Sequence, residues 1–306
     1  LLGCCGAPAH WAGREAQSQE IIAFWQQQWE AMGRPRLIMV CSTCYQLFSV
    51  IWPQAPLQSL WEILEDIGLP QETGFQPVSP LALHDPCTTR HVPVIQAAVR
   101  RLLANRGIVT TELALGGAET ECCGFGGLMQ NANPRIAKEV LLRRADLSEH
   151  DYLAYCGMCR DNLAGAGKRT LHLLDLLFAD VRQPDPAGRP RPGWSQRREN
   201  RARLKQNLLL KVWGQALAVG PDYRDIRLIM APEVRQRLDQ RRILDEDIQQ
   251  TIAHAEAGGP KLRHPATGRL RAAYRPRHVT FWVAYAPHED GFEVFNAYCH
   301  RMEVQP

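Results

Sequence analysis

The sequence predicts an α/β chain: two tandem cysteine-rich units, each on a small parallel sheet, then a basic linker and a small α+β domain. Three observations carry this. Short apolar runs alternate with stretches of helical periodicity through roughly the first 180 residues, as parallel strands joined by helices require. The cysteine pattern recurs, with 35 residues between Cys5 and Cys41 and 32 between Cys123 and Cys156. After residue 222 the cysteine motifs stop, and two helical stretches are followed by alternating strand patterns. The expected organisation is therefore 1–78 for the first unit, 79–180 for the second, 181–221 for a linker with an amphipathic helix, and 222–306 for the last domain.

The elements follow in order. Cys4-Cys5-Gly6-Ala7-Pro8-Ala9 reads as a tight turn. Ile21, Ile22, Trp25, Trp29 and Met32 recur at helical spacing over 15–32, a helix closed by Gly33. Residues 37–40 form a buried strand that delivers Cys41-Ser42-Thr43-Cys44 to the start of the next helix, where Ser42 and Thr43 are candidate caps. The free N–H groups of that helix start suit an anionic thiolate or cluster. A further helix spans 57–68, with Leu60, Ile63, Leu64 and Ile67 on one face, and 71–80 reads as a linker.

The second unit repeats the plan. A strand at 80–83 ends at His84-Asp85-Pro86-Cys87, a helix covers 92–105, and a strand covers 108–115. Cys122-Cys123-Gly124-Phe125-Gly126-Gly127 then makes a turn, 135–144 is helical, and a strand at 152–155 leads into Cys156-Gly157-Met158-Cys159. Apolar helical segments follow both C-x2-C pairs, at 59–64 and 171–177.

Residues 181–211 hold nine basic and two acidic side chains together with Pro184, Pro186, Pro190 and Pro192. This is a solvated tether running into an amphipathic helix at 198–217, with a docking strip for an acidic partner or membrane surface as the alternative. In the last domain, helices are expected at 232–242 and 245–257, the second capped by Asp245 and closed by Gly258-Gly259. Strands are expected at 270–275, 278–285 and 292–299, with a hairpin turn at 288–291. Cys299 reads as a buried apolar residue, and His300-Arg301-Met302 as a strand end.

Composition narrows the function. A net charge of +4 is too small to argue for nucleic acid. No apolar run reaches the ~18 residues that would span a bilayer, and no signal peptide opens the chain. The start at Leu1 suggests a piece of something longer.

The ten cysteines admit a disulfide framework, a metal or cluster site, or redox catalysis. Disulfide frameworks belong to short, core-poor chains, which this is not. Nine of the ten fall into adjacent pairs, C-x2-C pairs or the HDPC motif, which is ligand spacing. Zinc explains the C-x2-C pairs but not two Cys-Cys-Gly turns, because adjacent cysteines strain to reach one tetrahedral ion. A multi-iron cluster offers several corners, usually four thiolates in all, and the second unit supplies five, which argues for an unusual cluster. His84 reads as a turn or core residue and is left out of the ligand set.

The ordered motifs HDPC, CCGFGG and CGMC resemble the cysteine-rich "CCG" domain of the heterodisulfide reductase B subunit. The same domain occurs in iron–sulfur subunits of anaerobic glycerol-3-phosphate dehydrogenase, glycolate oxidase and lactate-utilisation proteins. The resemblance covers about residues 1–180, in two copies. It implies a non-cubane cluster of the 4Fe-4S type bound by Cys87, Cys122, Cys123, Cys156 and Cys159. The first unit matches at Cys4, Cys5, Cys41 and Cys44, and its counterpart of Cys87 would lie about thirty residues before Leu1. Gly6, Gly124, Gly126 and Gly127 would let backbone approach inorganic sulfur.

The implied activity is reductive cleavage of a disulfide between two clusters, by an iron–sulfur oxidoreductase acting as one subunit or domain of a larger complex. Its implied partner is an electron-donating flavoprotein or ferredoxin-like subunit. A relay from a hydroxyacid or glycerol-3-phosphate dehydrogenase to a membrane quinone-reducing partner is the second reading, and a zinc-stabilised scaffold the third. The expected location is cytoplasmic, at most peripheral at the inner face of the membrane, without nucleic acid.

Overall fold

The computed structural model describes residues 3–68, 77, 79–178, 184–215 and 222–302. The chain forms two compact units, residues 1–191 and 192–306.

The first unit opens with α1 (Ala7–Trp11), α2 (Glu15–Ala31), β1 (Leu37–Met39), α3 (Ser42–Ile51), β2 (Leu57–Ser59) and α4 (Leu60–Ile67). β1 and β2 pair in parallel, Leu37 opposite Leu57. The apolar spacing of α2 serves this small layer, with Ile22, Trp25 and Trp29 packed against Leu47, Phe48 and Trp52. Trp29 meets Trp52 edge to face, ring centroids 5.1 Å apart. Met32 is exposed instead, because the helix ends one residue before it.

Periodicity over 57–68 predicts helix from the first residue, but 57–59 form β2. Ser59 then caps α4: its hydroxyl accepts the Trp61 N–H at 3.3 Å, and Glu62 accepts the Ser59 N–H at 3.1 Å. Three extended residues running into a helix carry too little period to separate the two states.

The unit continues with β3 (Leu81–His84), α5 (Pro93–Asn105), β4 (Thr110–Glu112), α6 (Met129–Ala132), α7 (Pro134–Ala145), β5 (Tyr152–Ala154), α8 (Gly157–Gly165), β6 (Thr170–His172) and α9 (Leu173–Leu177). The strands are parallel in the order β4-β3-β5-β6. Every residue of β3 and β5 is buried, as central strands covered on both faces must be. Ile95, Val99, Leu102 and Leu103 of α5 pack with Trp61 and Leu64 of α4 over this sheet, each such side chain contributing about 1.5–3 kcal/mol. From β3 the chain steps outward to β4, and from β5 it steps the other way to β6. The carboxyl ends of β3 and β5 therefore flank a crevice at a switch point, where open parallel sheets place their ligands. HDPC follows β3, and CGMC follows β5.

The internal repeat goes beyond the cysteines. His172 accepts the Leu174 N–H through Nδ1 at 3.1 Å, and Asp175 accepts the His172 N–H at 3.0 Å, the counterpart of the Ser59–Glu62 cap. After each C-x2-C helix the chain thus makes a short strand, a reciprocal cap and a second helix.

Residues 184–191 are not a solvated tether. Ala187 is buried in the core of the first unit, and its carbonyl accepts from Thr170 N. Asp185 pairs with Arg169 at 2.9 Å and Arg189 with Asp175 at 2.8 Å. Buried Arg160 donates to the carbonyls of Arg189 and Pro190. The proline count signals irregular backbone, and backbone carbonyls without a regular ladder are what a buried arginine can satisfy. Residues 181–183 and 216–221 lie outside the described residues, as do 71–76 and 78 of the expected first linker.

The second unit comprises α10 (Trp194–Lys211), β7 (Leu228–Ile229), α11 (Pro232–Gln240), α12 (Asp245–Glu256), β8 (Lys261–Arg263), β9 (Leu270–Tyr274), β10 (Thr280–His288) and β11 (Gly291–His300). Its sheet runs β7-β11-β10-β9-β8, antiparallel except for β7 against β11. Ala272, Val283, Tyr285, Val294 and Ala297 face Leu238 of α11 and Ile248 and Ile252 of α12. The two-residue turn Glu289-Asp290 joins β10 to β11, with His288 opposite Gly291.

Two expectations change here. The cap of α12 is Leu244, whose N–H is accepted by Asp247 at 3.0 Å, while Asp245 is the first helical residue. Cys299 is exposed near the end of β11, opposite Phe281.

α10 buries none of its residues and is held at its N-terminus. The Trp194 N–H donates to Asp239 at 3.2 Å, and Arg198 pairs with Glu246. Burial alone would raise the Glu246 carboxyl, but Arg198, then Tyr223 and Arg224, hold it below its ordinary value. A carboxyl depressed in this way stabilises the fold above its unfolded pKa and loses that contribution as pH falls through the folded one. Amide exchange in the first turns of α10 is therefore expected to speed up below about pH 4.5, measured by mass spectrometry; a rate following only the intrinsic pH dependence contradicts this.

Candidate metal centre

Two N-caps define the candidate centre. Cys41 follows β1 and caps α3, and Cys156 follows β5 and caps α8, each with extended backbone. Ser42 and Thr43, expected as caps, are instead the first helical residues. A thiolate at an N-cap faces N–H groups that have no helical partner. The amides of Cys44 and Thr43 favour the Cys41 thiolate, and those of Cys159 and Met158 favour Cys156.

In the second cysteine-rich segment, residues 79–180, the five expected cysteines form one continuous chain of side-chain contacts. Cys87 lies within hydrogen-bonding reach of Cys122, Cys122 of Cys123, Cys123 of Cys159, and Cys159 of Cys156. Cys123, Cys156 and Cys159 are buried, Cys87 and Cys122 half-buried. Cys87 opens a single 3-10 turn after HDP, and the Cys122-Cys123 pair lies in the loop between β4 and α6. Asn162 of α8 fixes that loop by donating to the Cys123 carbonyl at 2.5 Å.

The HDPC turn is clamped by Asp85, fully buried. Its carboxylate receives both terminal nitrogens of Arg100 at 2.8 and 3.1 Å, the Tyr155 hydroxyl at 2.5 Å and the Gly117 N–H at 2.9 Å. Its carbonyl accepts from Thr120 Oγ1 at 2.8 Å, and Arg90 reaches the Thr120 carbonyl at 2.6 Å. One buried acid thus ties the Cys87 turn to the segment just before Cys122.

The first cysteine-rich segment, residues 1–78, brings together Cys5, Cys41 and Cys44, with Cys44 in reach of both others. Cys4 stays exposed beside them, its carbonyl accepting from Trp25 Nε1 at 2.9 Å. The two sites are neighbours: charge on Cys41 acts on Cys156, and Thr88 donates to Ser42 between hydroxyls 2.7 Å apart.

Thiols packed this closely share protons, so each site holds thiolates beside neutral thiols. Contact with Cys44 lowers Cys41 to about 6 and Cys5 to about 7, while Cys44 is pushed up. In the second site, contact with Cys123 and Cys87, then the amides of Gly126 and Gly124, pulls Cys122 strongly down. Cys87 is driven up by Cys122 and burial, and Cys123 is pushed up to about 12 by Cys122. Cys159 rises beside Cys123 and Cys156, and Cys156 falls beside Cys159. A bound cation would replace the remaining protons and relieve this crowding.

The glycines divide by role. Gly126 borders the sulfurs: a Cβ there would lie 3.5 Å from Cys122 Sγ and 3.6 Å from Cys87 Sγ. Gly124 has φ +83°, and its missing Cβ makes room for the Ala137 carbonyl of α7, 2.5 Å away. Gly6 turns the chain into α1, where the Ala7 amide favours the Cys5 thiolate. Gly127 has a left-handed backbone with nothing near its absent Cβ. Gly126→Ala is accordingly expected to keep the thermal stability of the metal-free protein while reducing iron uptake at the second site. Gly124→Ala is expected to destabilise the fold by more than about 1 kcal/mol. Parallel unfolding and iron-loading measurements on both variants check this, and equal behaviour of the two contradicts the division.

Sequence reasoning left out His84, and the structure puts it in the centre. His84 is fully buried, and a ring nitrogen lies within 4.8 Å of Cys123 and Cys159 Sγ, which lie equally close to each other. Burial first, and then Arg144, lowers it to about 3, so the ring is neutral. Its place in HDPC was the available signal. Arg144, buried behind it, gave none: next to Arg143 on a helix it reads as part of a solvated face.

The CCG cysteine-rich domain model matches residues 2–49 and 81–164. The match makes each of those two segments a copy of the CCG cysteine-rich domain. No curated protein and no solved structure matches it. The two CCG segments contain all nine thiols assigned from the sequence, and the donor set, soft thiolates with one buried imidazole, suits a thiophilic metal or an iron–sulfur group. Both members of the vicinal pair Cys122-Cys123 join the chain of contacts, which one tetrahedral ion does not require. Among the described residues, no helix is long and apolar enough to cross a membrane.

Proposed function

We propose that the two CCG segments hold iron–sulfur clusters of the 4Fe-4S type, and that the protein is an electron-transfer component of the heterodisulfide reductase kind, working on a disulfide. The observation that carries the proposal is the unbroken run of contacts Cys87–Cys122–Cys123–Cys159–Cys156, five donors for one site. Bound there, a cluster supplies single electrons. Cleaving a disulfide to two thiols takes two electrons and two protons, and two neighbouring sites suit a reaction that parts two sulfur atoms. In this reading Cys87, Cys122, Cys123, Cys156 and Cys159 are the ligands of the second site and Cys4, Cys5, Cys41 and Cys44 those of the first. The helix-start amides at Cys41 and Cys156 offset the negative charge of the thiolates. Asp85 and Asn162 hold the two loops in register, and a partner flavoprotein or ferredoxin-like subunit supplies the electrons.

The test is anaerobic reconstitution followed by reduction and rapid mixing with oxidants. Oxidation of the reduced protein by a small organic disulfide, with release of two thiols per two electrons, is the expected result. Oxidation by a quinone analogue and not by disulfides would assign the protein instead to a dehydrogenase-to-quinone relay.

A further inference from the structure

The last residue of β3, His84, uses one ring nitrogen inside the protein. Nδ1 accepts from Arg144 Nε at 3.1 Å. Arg144 is itself fully buried and immobilised, Nη1 donating to the carbonyls of Ala114 at 2.7 Å and Leu115 at 3.1 Å, while its own carbonyl receives the Tyr152 hydroxyl at 2.9 Å. A guanidinium Nε always carries its hydrogen, so Nδ1 must present a lone pair, and the proton of the neutral ring belongs to Nε2. Nε2 is buried and has no hydrogen-bond partner among the described residues. A buried donor left without an acceptor is costly, and one ring nitrogen of His84 lies within 4.8 Å of the sulfurs of Cys123 and Cys159.

Ligation through Nε2 would need its lone pair, which moves the ring proton to Nδ1 and sets it against the Arg144 N–H. The tautomer that Arg144 selects is therefore a donor. We infer that His84 is not a metal ligand but a positioning residue, its Nε2–H donating to sulfur at the second site, with Arg144 fixing the tautomer behind it. An N–H donor draws electron density from sulfur and stabilises the more reduced state of a cluster. The inference rests on the iron–sulfur reading above and adds to it a residue that sets the reduction potential.

Two measurements test it. In metal-free, 15N-labelled full-length protein, His84 is expected to show the Nε2–H tautomer; Nδ1 protonation overturns the inference whether or not iron binds. In iron-loaded protein, His84→Leu is expected to keep the wild-type iron content but shift the reduction midpoint of the second site to lower potential. His84→Gln, which can restore an N–H donor, is expected to fall between Leu and wild type. Loss of iron in His84→Leu with retention in no variant but wild type would make His84 a ligand, and an unchanged midpoint would remove its tuning role; either overturns the inference. Failure of the wild-type protein to bind iron would sink the iron–sulfur reading and the donor role with it. The tautomer measurement would still report on the Arg144–His84 pair, so the two failures are told apart.

Discussion

Cys123→Ser is expected to abolish iron binding at the second site while residues 192–306 keep their fold. Cys123 is the middle link of the five-thiol chain, touching Cys122 on one side and Cys159 on the other. A serine oxygen is a hard, weakly acidic donor and a poor substitute for thiolate toward iron. The substitution exchanges one small buried group for another of similar shape, and the Cys123 carbonyl bond to Asn162 is a backbone contact that survives it. The loss should therefore appear as missing visible absorption and missing iron, with little change in helix content. Full retention of iron and of the spectrum would show that the ligand set is wrong.

The second large effect is expected at Asp85. Its buried carboxylate receives two bonds from Arg100, one from Tyr155 and one from the Gly117 amide. Asp85→Ala removes the acceptor and leaves the Gly117 N–H without it, the Tyr155 hydroxyl with only Thr89 Oγ1, and Arg100 with Glu112 and the Gln96 carbonyl. Removing one partner from such a network costs on the order of 3–5 kcal/mol, and Asp85→Asn, which keeps part of the acceptor capacity, should cost less. Hydrogen exchange in the full chain reads this locally. Amides of β3 and β5 should lose protection while those of β10 and β11 do not. Equal loss in both units, or none, contradicts the role given to Asp85.

Much of the fold was legible because period and cysteine spacing are local signals. The helices at 93–105 and 245–256 and the hairpin at 288–291 follow from apolar spacing and turn residues within a single window. What was missed depended on partners far along the chain. β7 and β8 are short edge strands whose pairing with β11 and β9 leaves little local trace. β2 exists because β1 offers a parallel ladder twenty residues away. The site was legible at the level of its thiols, since ligand spacing is written in the sequence. Its buried charges were not: Arg144 and Arg160 are fully buried side chains of a residue type that usually faces water. Among the carbonyls they reach, those of Ala114, Leu115, Arg189 and Pro190 belong to irregular segments with no pattern of their own. His84 was visible in HDPC but could not be weighed until the Arg144 contact fixed which nitrogen is left without a partner.

The most direct test is the metal content of anaerobically purified protein, with acid-labile sulfide measured on the same sample. Iron and sulfide in nearly equal amounts, about four of each per loaded site, are the expected result, together with loss of the second site's share in Cys123→Ser. Zinc in place of iron, with no sulfide, would contradict the account and leave the paired thiols as a structural zinc scaffold.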